Sequence, residues 1–414
     1  MKRIVIIAAI AVGAALSNAA ILPAQDKAPR SPTSVALEEL DRGHYLAAID
    51  GLKDAAFASD GTVRDPAALQ VWQQFMPFVT NELAPSAPDR RESDDMLGRG
   101  WARKLAAAAA RDAIGEIVRR ARATSIVILN EAHGSPRDRA FGLEVARALR
   151  PLGYSVLAVE AIRPYPIAND PLSGVDQLKR DGFARLGTGA YARDPVFAGF
   201  LREALGLGYE PVAYDATTAQ MTAAGGSVAG REQAQADNLV AAIFAKRPAA
   251  KVFIYVGRSH VAEAPLSGTE WMAARLKRMT GVDPLTIDQT MLTDMAARSA
   301  YDLAAARTGD RPVTFFTGRK PLVLGLYAGA VDLQVVHPHR SYRFGRPAWL
   351  AALGGKPVQI PKDIGPATGR RLIQVFAANA PADAVPLDQV LVDGDGVIPM
   401  LMAPPEPLRF EVQR

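Results

Sequence analysis

The 414-residue sequence contains no cysteine. That one absence excludes disulfides, thiolate metal sites, iron–sulfur clusters, a cysteine nucleophile and a lipid-anchored lipoprotein together. Dense Lys/Arg runs interleaved with aromatics are missing too. The 48 basic residues exceed the 43 acidic ones by only +5, too thin and too dispersed an excess for a nucleic-acid partner. No segment beyond the N-terminus is long and apolar enough to span a bilayer. Ser135, Ser227 and Ser259 lack a Gly-x-Ser-x-Gly context, so a serine triad is not indicated. Gly225, Gly226 and Gly230 precede a helical stretch without the Lys-Ser/Thr of a phosphate-binding loop.

What is present is ordinary globular material. Apolar residues make up 49% and charged residues 22%, and the 34 Gly and 30 Pro are spread along the chain. The length suits about two domains. Met1-Lys2-Arg3, the apolar run Ile4–Leu16 and the small residues Ser17–Ala20 read as a signal peptide over residues 1–24. The expectation is an exported protein, periplasmic or secreted, with no membrane span after cleavage.

Residues 25–111 read as a helical N-terminal region, closing with the Ala-rich stretch Ala102–Ala113, with Ala84–Asp95 as its most loop-like part. From Ser125 the texture changes. The apolar runs Ser125–Leu129, Tyr154–Val159, Glu210–Tyr214 and Lys251–Val256 alternate with helix-spaced segments. Such alternation predicts an α/β fold with a mostly parallel sheet covered by helices, here over residues 112–305. Short apolar runs among Gly and Pro then predict a small β-rich C-terminal region over 306–414.

Ligands of open parallel sheets sit beyond the carboxyl ends of the strands. The first strand leads into Asn130-Glu131-Ala132-His133-Gly134. Glu160 follows the second strand, Asp215 the third, and Gly257-Arg258-Ser259-His260 the fourth. Every strand end thus delivers an ionisable group to one rim, as a metal or acid/base site requires. Strand ends also collect acids as turn formers and helix caps, a reading that fits Asp215 well. Gly134 and Gly257 are expected to let the backbone turn sharply beside the two His and to leave room for a substrate.

Val127-Ile-Leu-Asn-Glu-Ala-His-Gly134, Leu157-Ala-Val-Glu-Ala161, Arg231-Glu232 and Val256-Gly-Arg-Ser-His260, in this order, resemble the erythromycin-esterase/ChaN-like superfamily, relatives of which include haem-uptake lipoproteins and the Tiki and TraB proteins. The resemblance covers about residues 112–300. It implies that His133 is a general base or metal ligand with Glu131 as its partner. Glu160 is then a second carboxylate, Arg231 an anchor for an anionic group or oxyanion, and His260 the second imidazole. Asn130 stands where the pattern has Gly, and Glu131-Ala132-His133 is tighter than the esterase spacing, which argues against macrolide opening.

In physical terms the constellation activates water. A His held by a carboxylate does this, as does a divalent ion (Mn, Co or Zn) held by Glu131, His133, Glu160 and His260. The substrate is then an ester, lactone or peptide carbonyl of a small molecule or peptide, with Arg231 steadying the oxyanion. The alternative is a haem- or iron-binding periplasmic protein without turnover, using His260 or Tyr214 as the iron ligand. Other motifs read as structural. His337-Pro338-His339 is expected in a surface loop and Asp393–Gly396 in a hairpin turn. His44 is expected on a solvated helix face, and Trp271-Met272 in the core.

Overall fold

The computed structural model describes residues 30–82, 97–167, 171–293, 298–361, 364, 369–394 and 399–414. The leader and the expected loop Ala84–Asp95 lie outside these residues, as does half of the turn expected at Asp393–Gly396.

The protein is α/β. One nine-stranded sheet holds β1 (Ala109–Asp112), β2 (Ile126–Glu131), β3 (Val156–Val159), β4 (Glu210–Ala213), β5 (Val252–Gly257), β6 (Leu285–Asp288), β7 (Val313–Thr317), β8 (Lys320–Pro321) and β9 (Leu333–Val336). Its order is β1-β7-β9-β6-β2-β5-β3-β4, with β8 on β7. From β9 to β4 neighbours run parallel; β7 runs antiparallel to β9, β1 and β8. β2 and β5 lie at the centre and every residue of both is buried, which is why Ile126–Leu129 and Val252–Val256 are unbroken apolar runs. Complete burial of side chains such as Ile128 and Ile254 contributes roughly 1.5–3 kcal/mol each.

Side chains alternate across the sheet. Val127, Leu129, Val159, Phe253 and Tyr255 face one layer, which is continuous with the apolar faces of the helices Pro32–Asp41, Tyr45–Ala56 and Pro66–Phe75. Ile126, Ile128, Ala158, Ile254 and Val256 face the other, against the helices Val228–Leu239 and Met272–Thr280. The N-terminal helices therefore share a core with the sheet.

Two expectations differ from this arrangement. The Ala-rich stretch Ala102–Ala113 is helical only to Ala107; residues Ala109–Asp112 pair with the free edge of β7 as β1. Helix propensity yields there to the hydrogen bonds an open sheet edge offers. The strands at 313–317, 320–321 and 333–336, expected within a separate C-terminal region, belong to the main sheet. Beyond them the chain forms small antiparallel sheets, the largest centred on Arg371–Ala377 between Asp388–Val392 and Leu408–Gln413. Among the described residues no helix is long and apolar enough to cross a membrane.

Candidate functional site

β2 ends with Glu131 on the layer shared with the N-terminal helices. The helix Pro136–Leu149 begins five residues later and brings Arg139 over it, fully buried. Arg139 donates from Nε to Glu131 Oε2 (2.9 Å), from Nη2 to Oε1 (3.2 Å) and from Nη1 to Asp194 Oδ2 (2.6 Å). Burial alone would raise the Glu131 carboxyl, but Arg139 and His133 hold it below the usual carboxylate range. An ionised carboxylate only accepts, so His133 Nδ1, 2.9 Å from Glu131 Oε1, carries the proton. In the neutral imidazole this tautomer puts the lone pair on Nε2. Tyr191 stacks on the imidazole at 4.2 Å and fixes its plane, and Arg139 also donates to the His133 carbonyl (2.8 Å).

The imidazole lies over Gly257. A β-carbon there would stand 2.6 Å from His133 Cε1, 2.9 Å from Nε2 and 3.1 Å from Glu160 Oε2. Gly257 has an ordinary backbone (φ −79°), so the glycine gives not the sharp turn expected but room for two functional groups to converge. Gly134 serves close approach as well: its β-carbon would meet the Gln73 carbonyl at 2.7 Å.

Glu160, just past β3, is the hub of the second half of the site. Its Oε2 accepts from the Gly257 amide (2.6 Å), and its Oε1 from Arg231 Nη2 (2.7 Å), with His260 Nε2 at 3.3 Å. Burial would raise its carboxyl; His260 and Arg231 outweigh that and hold it well below the usual range. Burial would likewise lower His260, but Glu232 (Oε2 2.9 Å from Nδ1) and Glu160 push it up to about 10, so His260 is an imidazolium at neutral pH. Asp215 accepts from Arg231 Nε (3.0 Å) and Nη2 (2.8 Å). It also accepts from the Ala216 amide at its turn (2.8 Å), so it serves the turn expected of it and orients Arg231 as well.

The structure thus brings Glu131, His133, Glu160, Arg231 and His260 to one rim. It adds four residues with no assigned role in the sequence: Arg139, Asp194, Tyr191 and Glu232. Of these, Glu232 stood in the Arg231-Glu232 motif without a role of its own, and nothing in the local sequence marked the other three. A cavity of about 630 Å³ opens above. Glu131, His133, Glu160 and Arg231 line its floor; Phe75, Ile162, Tyr165 and Leu186 line its walls; and Leu37, Glu38 and Asp41 of the first N-terminal helix form its outer side. That helix is tied down by an Asp41–Arg193 ion pair, and Tyr45, the first residue of the next helix, donates to the Arg193 carbonyl at 2.8 Å.

A divalent ion does not fit the four side chains proposed to hold it. Guanidinium groups occupy Glu131 and Glu160, and both His260 nitrogens face carboxylates. Among the described residues no group of three or more His, Asp or Glu is arranged to hold a metal. The haem ligands considered are also engaged: Tyr214 is buried and donates to the Tyr255 carbonyl (3.2 Å), and His260 is held as above. His337 is buried rather than in a surface loop, because β9 enters the main sheet just before it. Its Nε2 lies 2.9 Å from Gln289 Oε1, and burial holds it neutral. Trp271 is buried edge-on against His260 (5.8 Å), and His44 is exposed beside Glu39 (2.7 Å).

No family model and no curated protein matches the sequence. Among solved structures the chain is similar to two described as bacterial protein toxins. The first is 20% identical over 59% of this chain and 55% of that one, with a TM-score of 0.33. The second is 19% identical over 68% and 62%, with a TM-score of 0.34. A third is RRSP, a MARTX toxin effector domain from Vibrio vulnificus, 17% identical over 58% and 54%, with a TM-score of 0.31. The chain spans less than two thirds of the length of each.

Proposed function

We propose that this protein is an exported hydrolase of the erythromycin-esterase/ChaN-like kind, acting on an ester, lactone or peptide carbonyl. The observation that carries the reading is a histidine pinned at Nδ1 by an ionised, arginine-locked carboxylate, with its Nε2 lone pair opening onto a cavity beside a second carboxylate. The superfamily resemblance is supported by the meeting of its four motif segments at one rim, and export by the leader pattern of residues 1–24.

In this reading His133 Nε2 takes a proton from water while Glu160 orients the other hydrogen, and the hydroxide oxygen bonds to the carbonyl carbon. The resulting imidazolium is stabilised between Glu131 and Glu160. It returns its proton to the leaving oxygen or nitrogen as the scissile bond breaks. Arg231 and His260 act by keeping Glu160 ionised, Arg231 doing so rather than steadying the oxyanion as the resemblance implied, because both are already engaged by carboxylates. No step passes through a metal. The test is turnover of a panel of chromogenic esters, lactones and peptides by the full chain and by His133→Ala and Glu160→Gln. Activity that falls by about 10² or more in His133→Ala is expected; full activity in that variant refutes the reading.

A further inference from the structure

We propose that Asn130 is a positioning residue of this site: it holds a strained turn at Arg258 that aims Gly257 and His260 at Glu160. The proposal rests on the hydrolytic reading above and extends it to a residue that touches neither substrate nor base. Arg258 has φ +26°, on the left-handed side where a side chain is strained. Its own side chain is exposed, so packing of that side chain does not explain the conformation. The two flanks of the turn do. Before it, the Gly257 amide donates to Glu160 Oε2 (2.6 Å); after it, His260 reaches Glu160 Oε1 (3.3 Å) and Glu232 (2.9 Å). A single carboxylate is gripped from both sides of one strained residue.

Asn130 holds the turn in place. Its Nδ2 donates to the Arg258 carbonyl at 3.1 Å. The amide group is itself immobilised: Nδ2 lies 2.9 Å from Asp288 Oδ1, and Oδ1 accepts from the Gln289 amide at 2.9 Å. Asp288 is fixed in turn by the Thr290 amide (2.9 Å) and Gln334 Nε2 (3.0 Å). Asn130, Asp288 and Gln334 are all buried, on the sheet layer opposite Glu131. Adjacent residues of β2 therefore serve the site from opposite faces, Glu131 setting the base and Asn130 setting the turn. An aspartate in this place lacks the donor for the Arg258 carbonyl.

The experiment follows amide hydrogen exchange and turnover in the full chain, Asn130→Ala and the double variant Asn130→Ala/Arg258→Gly. In Asn130→Ala the Gly257 amide should exchange about tenfold faster, the scale of one lost buried hydrogen bond. The amides of Ile128 and Ile254 in the central strands should be unchanged. On any ester the chain hydrolyses, kcat should fall with KM retained. Glycine at 258 makes the left-handed turn cheap, so the double variant should recover both Gly257 protection and kcat. Three results overturn the proposal: unchanged Gly257 exchange in Asn130→Ala, equal loss of protection at Ile128 and Ile254, or no recovery in the double variant. If no ester, lactone or peptide of the panel is turned over, the hydrolytic reading falls, and the exchange data alone decide whether Asn130 holds the turn.

Discussion

Replacing Glu232 by Gln isolates the electrostatics of the buried imidazolium. Burial pulls His260 down, and Glu232 is the larger of the two carboxylates that lift it from 6.5 to about 10. A folded-state value above the unfolded one stabilises the fold fully below about pH 6.5, and the contribution is lost as pH rises through about 10. The full span is roughly 5 kcal/mol. Gln keeps an acceptor for the Met272 amide, which donates to Glu232 at 2.8 Å, so the loss is mainly of charge. Urea unfolding from pH 6 to pH 10 is the assay. The wild-type stability should decline across this range. The Glu232→Gln curve should start several kcal/mol lower, run flatter, and meet the wild-type curve near pH 10. Parallel curves separated by a constant offset would refute the coupling.

Replacing Arg139 by Met leaves Glu131 and Asp194 buried without their cation, and should cost about 3–5 kcal/mol, seen as a lower urea midpoint. Placing alanine at Gly257 pushes a methyl to 2.6 Å from His133 Cε1; turnover should drop at least as far as in Glu160→Gln, with a stability loss of only about 1–3 kcal/mol by calorimetry. Extended dialysis against EDTA should leave turnover unchanged, because guanidinium groups hold the carboxylates a divalent ion would need; a loss restored by manganese, cobalt or zinc would refute this.

The central strands were legible because a strand buried on both faces must be apolar throughout, and Val127–Leu129 and Val252–Val256 are. Leu285–Asp288 was not, being short and half polar: Thr286 bonds Asp332 and Glu263, and Asp288 belongs to the network that holds Asn130, rather than either to the apolar core. Sheet membership of Val313–Thr317 and Leu333–Val336 depends on pairing across long stretches of chain, which local pattern does not encode. At the rim, residues on strand ends could be found by position. Arg139 could not, because its partners Glu131 and Asp194 lie on either side of it in sequence and far apart. His337 looked exposed for the same reason, since its burial follows from the strand before it.

The cavity is walled by one part of the chain and floored by another. Glu131, His133 and Glu160 come from the sheet, whereas Leu37 and Glu38 come from a helix that precedes the sheet by some 70 residues. If the proposed hydrolysis holds, recognition and reaction are thereby separable in heredity: changes at Leu37 or Glu38 would alter what fits without touching Glu131, His133 or Glu160. A fragment trimmed to the sheet and its flanking helices would lose both that side of the cavity and the core the N-terminal helices share with the sheet.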